Sequence, residues 1–188
     1  MAIYGVGMEQ AVSMAALGDN ELTTGYERDE FLYSCSAIIL VNPAVGSAGL
    51  YHFPAGDIYR DMGSRVLIEE LIADVKPTEA LVYFGTQQNM GYSTERSTEP
   101  TDREQTDSLK TWLRGQLGFA IQESPATQGS ASISFIEGKA NYKHGTGTGV
   151  TDLKRYASGV YDEGFKVYWR PERPNLHPVL RRTGSAHF

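Results

Sequence analysis

The stretch Phe31-Leu32-Tyr33-Ser34-Cys35-Ser36-Ala37-Ile38-Ile39-Leu40-Val41-Asn42-Pro43-Ala44-Val45-Gly46-Ser47-Ala48-Gly49-Leu50-Tyr51-His52-Phe53-Pro54 decides the reading of this chain. From Phe31 to Val41 apolar side chains fall on both parities, as in a strand covered on both faces, and the spacing predicts a central strand. Asn42, Pro43 and Gly46 then interrupt the run, Ala48 to Phe53 resumes it, and Pro54 and Gly56 end it, which predicts a hairpin. If Val41 pairs with Ala48, His52 stands opposite Ala37 and diagonal to Cys35 on the same face. A slip of one residue would send the two side chains to opposite faces.

Outward from the hairpin the period changes. Ile58, Met62, Val66, Leu67, Leu71, Ile72 and Val75 recur at helical spacing, with Asp57 or Asp61 as cap and Pro77 as stop. Ala80 to Phe84 is a short apolar strand ending at Gly85. Residues 86–105 carry hardly any large apolar side chain and predict a mobile loop, since they bury too little to offset their ordering entropy. Asp107 to Phe119 predicts a second helix, with Leu109, Trp112, Leu113 and Leu117 on one face and Gly118 near its end. Ile133 and Phe135, the turn at Glu137 and Gly138, and Phe165, Val167 and Trp169 point to three further strands. Towards the N-terminus, a short helix is expected around Glu9 to Leu17. The fold class expected is α+β, a β-sandwich or mixed central sheet flanked by two helices, in one domain over 1–188 with an irregular tail at 171–188.

The bulk numbers agree with a globular protein. The chain has 188 residues, 40% hydrophobic and 11% aromatic, enough to fill a core. A net charge of -6 opposes nucleic-acid binding, which draws its affinity from basic side chains. Arg170, Arg173, Arg181 and Arg182 lie in the Pro-rich C-terminal stretch and read as a solvated tail. The longest apolar run, Ala37 to Val41, is far shorter than the about 20 residues of a membrane-spanning helix. No basic segment followed by an apolar core begins the chain, so the expected location is the cytoplasm, or a host or target cell reached through a specialised secretion system.

A single cysteine excludes an internal disulfide and a cysteine zinc cluster. His52, His144, His177 and His187 have no metal-binding spacing, and no metal or organic cofactor is expected. Gly145-Thr146-Gly147-Thr148-Gly149 lacks the Lys-Ser/Thr of a phosphate loop and reads as a turn. Tyr156, Tyr161, Tyr168 and Trp169 read as a strand face.

Two readings of Cys35 and His52 stand side by side. A lone strand cysteine is commonly a small buried hydrophobe, and a core histidine commonly bonds a backbone carbonyl. Alternatively they act together: a thiol of pKa about 8.5 is only a few per cent thiolate at neutral pH, and an adjacent imidazole takes its proton. Backbone N–H groups near Cys35, with Ser34 and Ser36, are candidates to hold the oxyanion.

The segments Ser34 to Pro43 and Gly49 to Pro54 resemble the active-site region of the chemoreceptor glutamine deamidase family CheD. There a Ser-Cys pair opens an apolar strand, an Asp-Pro or Asn-Pro turn follows, and Gly-Leu-x-His ends near a proline. The 17 residues from Cys35 to His52 suit that family, and the resemblance extends over Phe31 to Gly85. The wider superfamily includes bacterial toxins similar to cytotoxic necrotizing factor and the Burkholderia lethal factor. The resemblance implies a Cys35 nucleophile and a His52 base, with a protein bearing a target glutamine as substrate. The family places a threonine six residues before the cysteine, where this chain has Asp29. Asp29 and Thr24 are therefore the candidates for a third, orienting member. A cysteine protease, a transglutaminase-type effector and a noncatalytic binding module on the same fold are the alternatives.

Overall fold

A computed structural model of the chain describes residues 2–7, 9–24, 35–53, 62–84, 102–125, 130–145, 153–154, 159–161 and 164–169. The hairpin at its centre pairs β4 (Ser36–Asn42) with β5 (Ser47–Phe53) in the expected register, Val41 with Ala48 and Ala37 with His52. Gly46 takes φ 70° in the turn, a left-handed conformation that residues with a Cβ rarely adopt.

Around this hairpin the other strands are β1 (Ile3–Gly5), β2 (Gln10–Met14), β3 (Glu21–Thr23), β6 (Glu79–Phe84), β7 (Gln122–Pro125), β8 (Ser130–Ile136), β9 (Lys139–Gly145), β10 (Leu153–Lys154), β11 (Gly159–Tyr161) and β12 (Phe165–Trp169). Two helices are present among the described residues, α1 (Met62–Val75) and α2 (Asp102–Leu117). One mixed sheet runs β11-β12-β2-β5-β4-β6-β7 and the other β10-β1-β3-β8-β9. The class is α+β, with a sheet flanked by helices.

Why β4 is apolar on both parities now has a cause. Ala37, Ile39 and Val41 join Val6, Leu22 and Ile133 in a core between the two sheets. Ile38 and Leu40 join Ile68, Leu71 and Leu113 in a second core beneath the helices. Residues Ala37 to Val41 have no exposed surface at all, and burying each large aliphatic among them contributes about 1.5–3 kcal/mol.

The hairpin also receives the end of α1. Asn42 Nδ2 donates to the Lys76 carbonyl at 2.8 Å and Ser47 Oγ to the Val75 carbonyl at 2.9 Å, satisfying acceptors that a helix C-terminus leaves open. Gly49 lets the helix approach: a Cβ there would stand 3.0 Å from Val75 Cγ2 and 3.1 Å from Leu71 Cδ2. Asp74 ties the same helix to β2 and β12, accepting from Ser13 Oγ at 2.7 Å, Tyr168 Oη at 2.6 Å and Lys166 Nζ. Burial pushes the Asp74 carboxyl up, but the bonds from Lys166, Tyr168 and Ser13 and the Lys166 charge outweigh it and hold the group below its ordinary value.

Three sequence expectations change. The Glu9 to Leu17 segment holds no helix; Gln10–Met14 is β2, paired with β5 and β12 and buried along its whole length, so pairing on both edges overrides the helix propensity of Gln, Ala and Met. The second helix begins at Asp102, so residues 102–105 of the expected loop are helical. The strands β1, β3, β7, β10 and β11 are too short to leave a period. Residues 86–101 of that loop, the tail 171–188, the first helical residues expected from Ile58, and Tyr156 lie outside the described residues.

Candidate active site

Cys35 directly precedes β4. It is half-buried and packs against the inter-sheet core, the side that Ala37 and Ile39 also face. His52, 3% exposed, alternates with Leu50 and Ala48 of that core. Ala37 pairs with His52 and the ladder ends at Ser36 with Phe53, so Cys35 stands one residue beyond it; continued regularly, the ladder would put Cys35 diagonal to His52, about 7–8 Å away between Cα atoms.

The histidine is held twice by one short connector. Val6 and Gly7 follow β1 in the smaller sheet, Glu9 precedes β2 in the larger, and Val6 and Glu9 both meet His52 near the end of β5. His52 Nδ1 lies 3.3 Å from the Val6 carbonyl oxygen, and the His52 carbonyl accepts from Glu9 N at 2.7 Å. A carbonyl only accepts, so the contact is a hydrogen bond when Nδ1 carries the hydrogen, the tautomer of the neutral ring in which Nε2 keeps the lone pair a base needs. Glu9 adopts φ 62° in this connector, a left-handed conformation costing a non-glycine residue about 1–2 kcal/mol.

Of the remaining candidates, Thr24 and Ser36 fall elsewhere. Thr24 is fully buried; its N–H donates to the Ala131 carbonyl at 2.9 Å and its Oγ1 accepts from Ala131 N at 3.0 Å, extending the β3 to β8 pairing. The oxygen beside His52 Nδ1 is a main-chain one, that of Val6. Ser36 is buried and shares the parity of Ile38 and Leu40, which face the helices, so its hydroxyl is on the other side of the sheet from Cys35. Ser34 and Asp29 lie outside the described residues.

Two aromatic groups flank the site that the sequence did not signal. Tyr83 of β6 pairs with Ala37 from the side opposite His52, and the imidazole of His144 stacks on it with centroids 4.7 Å apart and planes at 21°. Burial pushes the Tyr83 phenol up, so it is a neutral hydroxyl at physiological pH. Among the described residues, no three His, Cys, Asp or Glu side chains form a group that could hold a metal ion. No described helix is long and apolar enough to cross a membrane.

No family model matches the chain, and no curated protein matches it.

Proposed function

We propose that the chain is a cysteine-dependent amidohydrolase that converts glutamine side chains of a target protein to glutamate. What supports this reading is the hairpin register, which pairs His52 with Ala37 two residues after Cys35, together with the Val6 carbonyl beside Nδ1, which in this reading leaves Nε2 to act as the base. In this mechanism His52 takes the Cys35 proton and the thiolate attacks the side-chain amide carbon. The tetrahedral intermediate expels ammonia as His52 returns the proton, leaving a thioester. Water, deprotonated by His52, then hydrolyses the thioester to glutamate and the free thiol. Backbone N–H groups near Cys35 stabilise the oxyanion. Each turnover adds one negative charge to the target, which switches electrostatic contacts there. The enzyme works in the cytoplasm or in a cell into which it is delivered, on a protein and not on nucleic acid.

Mass spectrometry of treated protein targets tests this. A gain of about 1 Da at a glutamine supports deamidation, backbone cleavage indicates a protease, and a crosslink or amine adduct a transglutaminase. Ammonia release from free glutamine as efficient as from any protein, with Cys35→Ser as control, would replace the protein-deamidase reading with a small-molecule amidase, because affinity for a protein comes from surfaces around the site.

A further inference from the structure

The connector that grips His52 has a lock of its own. Gln10, the first residue of β2, is the direct cross-strand partner of His52 on the side away from Ala37. It is 5% exposed. Its backbone N–H donates to the Gly7 carbonyl at 3.0 Å, and its side-chain Oε1 accepts from Gly7 N at 2.9 Å, so Gln10 holds Gly7 twice. Gly7 N requires an acceptor, which fixes the orientation of the Gln10 amide. Val6, next to Gly7, is anchored on its other side by its N–H to the Thr23 carbonyl at 2.8 Å. The Val6 carbonyl that meets His52 Nδ1 therefore belongs to a peptide unit shared with Gly7, whose N–H is the atom Gln10 holds.

We propose that Gln10 is a positioning residue for His52: its side chain fixes the Val6–Gly7 peptide plane and so holds the carbonyl that sets the imidazole tautomer. A peptide plane rotates as a unit, so restraining its N–H restrains the carbonyl on the opposite side. Without the Oε1 contact the plane tilts, the 3.3 Å contact to Nδ1 lengthens, and the imidazole is freed to take the other tautomer. A residue of this kind is invisible to motif matching, since it touches neither the thiol nor the substrate. The consequence for catalysis rests on the deamidase reading, whereas the effect on the ring does not.

The test uses the full chain with nitrogen-15 labelled histidine. In the wild type, long-range proton–nitrogen spectra of neutral His52 should show the hydrogen on Nδ1; a hydrogen on Nε2 overturns the proposal outright. Gln10→Leu removes the acceptor at similar volume, and Gln10→Glu keeps it. In Gln10→Leu the ring should sample both tautomers, and iodoacetamide labelling of Cys35 near neutral pH should slow about five- to ten-fold. Gln10→Glu should retain the Nδ1 hydrogen, with its labelling profile displaced along the pH axis by the added carboxylate. A folded Gln10→Leu with unchanged tautomer and labelling profile overturns the proposal, as does Gln10→Glu losing the Nδ1 hydrogen. Should Gln10→Leu not fold, the wild-type spectrum and Gln10→Glu decide it. Tautomer and labelling effects as expected, with no deamidation of any target, would sink the deamidase reading and leave the positioning role standing.

Discussion

His52 Nδ1 faces the Val6 carbonyl oxygen at 3.3 Å, across the boundary between the two sheets. The contact favours the tautomer with the hydrogen on Nδ1, and it comes from a residue 46 positions away. The reactivity of Cys35 tells whether the ring held this way acts as a base.

Cys35 should label with iodoacetamide near pH 7 faster than a free thiol peptide, because a neighbouring imidazole raises its thiolate fraction. His52→Ala should slow that labelling and lower turnover by about 10²–10⁴-fold with the fold intact. Labelling only after denaturation would identify a buried, inert cysteine.

Asp29→Ala should reduce activity far less than Cys35→Ala, since the Val6 carbonyl already holds the ring nitrogen that a triad carboxylate would hold. Steady-state rates of the two folded variants decide the ranking. Complete loss in Asp29→Ala would make the carboxylate essential.

Gly49→Ala should destabilise the protein by about 1–3 kcal/mol, because a methyl there meets Val75 and Leu71 of α1 at 3.0 and 3.1 Å with the Val12 carbonyl behind at 3.4 Å. Urea denaturation measures it. An unchanged midpoint would mean that α1 shifts away at no cost. The glycine of the Gly-Leu-x-His pattern thus has a packing cause here.

Asp74 should make stability fall in acid. Its folded value lies below the ordinary 3.8, so the unfolded chain binds the proton first; the contribution is fully present above about pH 5 and is lost as pH falls through the lowered folded value. Asp74→Asn should cost about 1–2 kcal/mol near neutral pH, less than a fully buried network because Lys166 keeps contact with water, and the difference should shrink towards pH 2. Equal wild-type and variant stability at neutral pH would remove Asp74 from the forces holding α1 to β2 and β12.

The hairpin was legible in the sequence because its information is local. A doubly apolar run, a turn of Asn, Pro and Gly and a second run mark the hairpin, and the register taken for it, Val41 with Ala48, is the one in which β4 pairs with β5. The faces of α1 and α2 were legible through a period carried within each segment, apart from Val66, which belongs to the expected set of α1 and is exposed. β2 was not: buried on both faces and paired on both edges, it has no alternation to read, and its strand character comes from β5 and β12. The partner of His52 Nδ1 was further out of reach. Every residue has a carbonyl, so a sequence cannot mark the one at Val6, and only the packing of β1 and β2 across the two sheets brings it to the imidazole.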